Sequence, residues 1–268
     1  MTGRKSRPYP AALAFWCAAV FFAHGLARTQ GGPQDADLNA LLDRIAERAE
    51  TRPEIKDWRA KAVSVATEMD KNWQPKKTTR VTKTVAVTGS ERSERVIEAL
   101  QTEKGVTKDL TNEFRREAGE GGGAKDKPEE NESQTGDGKR GMSRSLSLEE
   151  LLPFGEKARR NFTFTRLPDE IIEGRTVYIL ESKAKVKGEK FWEGRYFISP
   201  ESHDVLRVSL TLSKNPKFVK ELSTEIDFQL LPDGNFFIKK TWMKVDAGMV
   251  IKHIRMVIEE EYSDIEIL

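Results

Sequence analysis

Cysteine is almost missing from this chain. The single residue, Cys17, sits inside an apolar N-terminal run, so neither a disulfide framework nor a Cys-based zinc set is available. Histidine is nearly as scarce: His24, His203 and His253 are the only three, and none has a neighbour at metal-ligand spacing. No apolar run is long enough for a conventional membrane span. The longest, Ala11–Ala23, has thirteen residues, where about 20 are needed. There is no Gly-x-Ser-x-Gly, and the Gly-rich stretch near residue 121 lacks the Lys-Ser/Thr that closes a phosphate loop. Carboxylates are everywhere, 43 in all, so none stands out as a catalytic acid or base. These absences lead to the expectation of no enzyme, no cofactor and no metal.

What is present begins with an address. Arg4, Lys5 and Arg7 precede the apolar run, and Gly25 and Ala27 follow it. Basic, apolar, then small residues is the layout of a secretory signal peptide, expected over residues 1–27 with cleavage near Gly25 or Ala27. Bulky Phe15 and Trp16 precede Cys17, which disfavours lipidation there; the protein is expected to be exported and periplasmic without being a lipoprotein. Losing the leader removes three positive charges, taking the formal charge from +2 to about −1. Nucleic acid is therefore not an expected partner.

In residues 28–115 the spacing of Leu38, Leu41, Leu42, Ile45 and Ala49 predicts an amphipathic helix from Asp37 to Ala49. Strands are predicted at Trp58–Asp70, Thr79–Thr88 and Glu94–Gln101. Residues 116–145 collapse into Gly, Glu, Lys, Asp, Asn and Ser with almost nothing apolar, the composition of a disordered insertion. Residues 146–268 resume with a short helix, Leu148–Phe154, capped by Ser147. Phe162 and Phe164 then alternate with polar residues, a half-buried strand. From Gly174 to Asp264 six strand-like runs follow, broken by turns such as Pro232-Asp233-Gly234, and this predicts an antiparallel meander. Glu259–Glu261 reads as a solvated strand edge, and His203 and His253 as isolated.

Seventeen aromatic residues remain after the leader, and fourteen of them follow Ser145. Pairs such as Phe191-Trp192, Tyr196-Phe197 and Phe236-Phe237 put a ring on each face of the sheet. Such a sheet must be covered twice or must offer one face as a binding surface.

Gly174-Arg175-Thr176-Val177-Tyr178, Trp192–Ile198, Pro200–Arg207 and the closing Tyr262-Ser263-Asp264-Ile265 resemble exported outer-membrane lipoprotein-sorting-like proteins, relatives of the periplasmic carriers LolA and LolB. The resemblance covers about Pro168–Ile265. It implies an α+β, mainly β fold: a strongly curved antiparallel sheet forming an unclosed barrel with covering helices. It further implies that an acyl chain is held non-covalently on the concave side, with no catalysis. No ligand-contacting residue carries over by motif. Candidates for the apolar lining are Phe162, Phe164, Tyr178, Trp192, Phe197, Phe228, Phe237 and Trp242, with Leu38, Leu41, Leu42 and Ile45 as lid. The expected partner is a lipid or lipoprotein acyl chain, bound by a carrier or sensor. The alternative is an envelope scaffold whose aromatic sheet face docks a protein partner or a membrane surface.

Overall fold

The computed structural model describes residues 33–52, 55–89, 91–119, 148–231, 234–248 and 253–268. The expected signal peptide, the Ser147 cap and most of the Gly-rich insertion lie outside these residues. Helix α1 (Pro33–Glu50) leads into strands β1 (Trp58–Met69), β2 (Pro75–Thr88), β3 (Glu91–Glu103) and β4 (Val106–Asp109). Three short helices follow: α2 (Thr111–Glu117), α3 (Leu148–Leu151) and α4 (Glu156–Arg159). The remaining strands are β5 (Phe162–Ile172), β6 (Arg175–Ala184), β7 (Trp192–Ile198), β8 (Val205–Leu212), β9 (Val219–Leu230), β10 (Phe236–Gly248) and β11 (His253–Ile267).

All eleven strands form one antiparallel sheet in the order β4-β3-β2-β1-β11-β10-β9-β8-β7-β6-β5. Its end strands, β4 and β5, do not pair with each other, so the sheet stays open. The mainly β, unclosed architecture expected from the sequence is the one observed. Register shifts interrupt most ladders, for instance between Ile238 and Lys240 and between Leu167 and Glu170. Bulges of this kind bend strands and increase twist, which curves the sheet.

One neighbour relation skips the sequence order. β1 pairs with β11, with Trp58 opposite Ile267 and Ala66 opposite Ile258. This corrects the reading of Glu259–Glu261 as a strand edge. β11 lies in the interior of the sheet, and Glu260 shares the Lys83 ammonium with Glu94, at 3.3 and 2.9 Å. A ladder between the first and last strands leaves no local trace, so composition alone could not reveal it.

Three elements were not anticipated: β4, α2 and α4. The first two together close the far edge of β3. Leu110 donates its N–H to the carbonyl of Ala99 (2.8 Å), and Arg115 donates to the carbonyls of Val96 and Ile97 at 3.0 and 2.9 Å. A guanidinium thus stands where a neighbouring strand would, which blunts an edge that otherwise invites pairing. Arg115→Ala is expected to lower stability by only about 1 kcal/mol while hydrogen exchange quickens selectively at β3 and α2. Equal protection in the two proteins would show that the carbonyls are covered without Arg115.

α1 is the principal cover of the sheet. Leu41, Leu42 and Ile45 recur on one stripe and are 4%, 3% and 2% exposed. They pack with Leu180, Tyr196, Ile198, Val208, Leu210, Ile226, Phe228 and Val245 in the main core. Each such aliphatic side chain contributes roughly 1.5–3 kcal/mol by leaving water. That is enough to hold a helix whose other face is Asp, Glu and Arg. On the opposite face of β6 and β7, Val177, Ile179 and Phe197 gather with Leu167, Ile172 and Leu206 in a smaller cluster. Period-two alternation supplies both faces from the same strands.

At the other end of α1 the helix is tied down by charge. Asp204, fully buried in the β7–β8 turn, accepts hydrogen bonds from Arg48 (2.9 Å) and Arg52 (2.5 Å). The Arg52 guanidinium also lies 3.8 Å from the centre of the Phe236 ring. Arg48 in the last helical turn suits the negative end of the helix dipole as well.

Candidate functional site

α1 packs its buried stripe onto the core, and a cleft opens beside its N-terminal half. The cleft, of about 270 Å³, lies between α1, the end of α4, the start of β5 and the end of β6. Leu38, Leu42, Phe162 and Phe164 supply its apolar walls, and Asn39, Arg159, Arg160 and Lys185 its polar ones. Local sequence explains the placement. Phe162 and Phe164 are two apart on β5 and so share a face, with ring centres 6.2 Å apart. Phe154 backs Phe164 at 5.7 Å and meets Tyr196 edge-on at 4.9 Å, and Phe191 closes on Phe162 at 5.7 Å. The apolar walls are thus continuous with the core.

The polar walls are held from behind. Arg159 reaches Asp43 on α1 at 2.6 Å, and Arg160 pairs with Glu156 one turn earlier. Lys185 directs its ammonium to the carbonyl oxygen of Arg160 (3.0 Å). The result is a greasy recess with cations at its mouth. Such a surface takes up an apolar chain and tolerates, or favours, an anionic group at the chain's end.

Among the described residues, the other notable polar groups make structural pairs. Tyr196 is wholly buried, and burial pushes its phenol well above the ordinary value, with Ser182 as its hydrogen-bond partner. It is a structural ring, protonated at any physiological pH. His253, expected to stand alone, pairs with Asp246 at 2.5 Å, and Arg255 reaches the other oxygen of the same carboxylate at 3.1 Å. The three residues bridge β10 and β11. Asp204 binds Arg48 of α1 and Arg52 just beyond its end rather than its neighbour His203. Among the described residues, no group of three or more His, Cys, Asp or Glu is arranged to hold a metal ion.

Of the lining residues named from the sequence, four converge on the cleft: Leu38, Leu42, Phe162 and Phe164. Leu41, Ile45, Trp192 and Phe228 lie in the packed core beneath α1, and Tyr178 borders it with the Arg166 guanidinium 4.2 Å above its ring. The other three lie elsewhere. Phe197 belongs to the cluster on the opposite face. Trp242 sits in a separate charged hollow of about 280 Å³ with Arg207, Glu225, Asp227 and Lys240. Phe237 is buried against Trp58 and Tyr262, edge-on at 4.9 and 5.7 Å. The rim residues Arg159, Arg160 and Lys185 were missed. Their one sequence signal is the basic cluster Lys157, Arg159, Arg160 just ahead of Phe162.

Fold and site define a class: an open antiparallel half-barrel with an amphipathic helix seated in its concave face and a mixed apolar and basic cleft beside that helix. No family model matches the chain, and no curated protein matches it. Among solved structures, the chain is similar to a domain described as an outer-membrane lipoprotein-sorting protein from Vibrio parahaemolyticus. Identity is 11% over 84% of this chain and 91% of that one, with a TM-score of 0.36. A LolA-superfamily protein from Nitrosomonas europaea shares 12% identity over 85% and 93%, with a TM-score of 0.38. A DUF1329-family protein from Desulfovibrio piger shares 11% over 88% and 94%, again with a TM-score of 0.38. Likenesses of this size say nothing about ligand or partner.

Proposed function

We propose that this is an exported cell-envelope protein that holds a lipid or lipoprotein acyl chain non-covalently, as carrier or sensor, in the cleft beside α1. The observation that carries the reading is the pairing of Leu38, Leu42, Phe162 and Phe164 with a mouth of Arg159, Arg160 and Lys185. An apolar chain gains about 0.8 kcal/mol for each methylene it buries, so part of one chain suffices for useful affinity. At about 270 Å³ the cleft lies just below the range of drug-sized ligand sites, roughly 300 to 1,000 Å³. Its size supports one chain end rather than several chains. The core beneath α1 is closed by Leu41 and Ile45, so binding there needs no entry under the helix.

Palmitate titrated into delipidated protein and followed by calorimetry tests this reading. Leu38→Asp places a carboxylate in the recess while leaving the buried Leu41, Leu42 and Ile45 in place; in variant protein shown to be folded by circular dichroism, at least about tenfold weaker binding is expected, equivalent to about 1.4 kcal/mol. Folded wild-type protein that takes up no palmitate and yields no lipid on organic extraction would remove the proposal. So would a Leu38→Asp protein that binds as tightly as the wild type.

A further inference from the structure

We propose that one end of the half-barrel is a docking face for an anionic lipid bilayer. Antiparallel pairing of β5 through β9 brings the α4–β5 junction, the β6–β7 loop and the β8–β9 loop side by side at the same end of the sheet. These segments are stitched into one rim. Lys185 donates its N–H to the carbonyl of Asn161 (2.8 Å), and Ser213 donates its own to Phe191 (2.8 Å). The Ser213 hydroxyl also accepts from the Gly188 N–H and donates to the Gly188 carbonyl, both at 3.0 Å.

The rim is strongly basic. The junction has Lys157, Arg159 and Arg160 against Glu156, and the β6–β7 loop has Lys185, Lys187 and Lys190 against Glu189. The β8–β9 loop has Lys214 and Lys217 and no acid. Some of this charge is neutralised locally, as where Lys187 meets Glu193 at 2.6 Å. Among the described residues, however, Lys190, Lys214 and Lys217 have no carboxylate partner. The β7–β8 turn at the opposite end (residues 199–204) carries Glu201 and Asp204 and no lysine or arginine. Arg48 and Arg52 neutralise Asp204 there, so this turn carries no basic excess to match that of the rim.

Apolar side chains stand among the lysines. Val186 is 71% exposed and Phe218 46% exposed, at the tips of adjoining loops. Lys217 lies 5.0 Å from the Phe218 ring centre, so its ammonium and the ring are presented together. Lysines along a rim draw the protein to a plane of phosphates, and exposed apolar residues between them enter the headgroup layer. Charge complementarity thus selects an anionic bilayer, and the two apolar tips supply the insertion that a purely electrostatic contact lacks. The face does not depend on the acyl-chain reading, because Val186, Lys190, Lys214, Lys217 and Phe218 do not line the cleft.

The test is co-sedimentation of the intact protein with vesicles of phosphatidylcholine, with and without about 30% phosphatidylglycerol. Binding to the anionic vesicles is expected to be at least about tenfold tighter, and to vanish near 0.5 M salt, where screening reaches only a few Å. The triple variant Lys190→Glu, Lys214→Glu, Lys217→Glu should lose about tenfold or more on anionic vesicles. Phe218→Ser should weaken binding about threefold with the salt dependence unchanged. Lys239→Glu, at the opposite end of β10, should stay within about twofold of wild type. Circular dichroism confirms that each variant is folded. No binding at low salt overturns the proposal, as does equal binding to neutral vesicles or a triple variant that binds like wild type. Palmitate titration of the same samples reads the cleft separately, so failure of one proposal is distinguishable from failure of the other.

Discussion

Gly194→Ala is expected to lose about 3–5 kcal/mol of stability, a drop of roughly 10 °C or more in Tm. Gly194 lies in β7 opposite Leu210 of β8, with φ at +149°. A Cβ there would stand 2.2 Å from the Ser209 carbonyl oxygen and 3.1 Å from the Leu210 Cα. Both are backbone atoms, so no rotamer change relieves the contact; the β7–β8 ladder must open. That ladder carries Trp192 and Tyr196 into the main core, and the damage therefore reaches beyond the turn. Gly174→Ala is the control. Its φ of +77° is also unfavourable to a side chain, but its Cβ meets nothing within 4 Å, and about 1 kcal/mol is expected. Thermal and urea unfolding of both variants separates the clash from the backbone preference. Equal losses would mean that the approach of β7 to β8 is not rigid.

Asp204→Ala is the second large expected effect. The carboxylate is fully buried, and its removal leaves the Arg52 guanidinium, 11% exposed, without its anion. Breaking such a pair from one side costs about 3–5 kcal/mol. Arg48 is 36% exposed and can turn to water, so most of the loss falls on Arg52. The end of α1 should loosen first, and faster exchange of the helix amides would report it. Acid supplies an independent check. Burial pushes the Asp204 carboxyl upward, but hydrogen bonds from Arg48, Ser202 and Arg52 outweigh it and hold the group below its ordinary value. A carboxyl depressed in the folded state stabilises the protein above its unfolded value of about 3.9 and loses that contribution as pH falls through the folded one. The gap in stability between wild type and Asp204→Ala should accordingly be constant from neutral pH down to about 5 and narrow in stronger acid. A gap independent of pH down to the acid limit would assign the clamp to packing and not to charge.

The fold was largely legible, because local patterns decide it. Alternation at Phe162 and Phe164, turn residues between the later strands and the three-four spacing of Leu38 to Ile45 each specify an element without help from distant sequence. What stayed hidden depends on partners far along the chain. Glu259–Glu261 reads as a solvated edge because nothing in those residues announces Lys83. His253 lacked a partner because Asp246 becomes its neighbour only when the hairpin closes. The site was half legible for the same reason. Ring residues on one strand can be read as sharing a face, which found Phe162 and Phe164. Phe197, Phe237 and Trp242 were grouped with them by type, and strand parity and bulges sent those three elsewhere. Arg159, Arg160 and Lys185 look like ordinary surface charges until α4 and β6 bring them to one mouth.

The ladder between β1 and β11 sets the order in which the sheet can be completed. Strands β1 to β4 form one run of adjacent hairpins and β5 to β10 another, and each run ends in a long strand, β1 or β10, with one side unsatisfied. Only β11, which follows every other strand in the chain, fills the gap between them, bringing Trp58 opposite Ile267. The seam of the sheet is its centre rather than its rim. Contacts of such sequence separation form slowly, so the β1–β11 ladder is expected to close after the hairpins on either side of it. Until β11 docks, the edges left open are those of β1 and β10, so the last of the described strands is also the latch of the sheet.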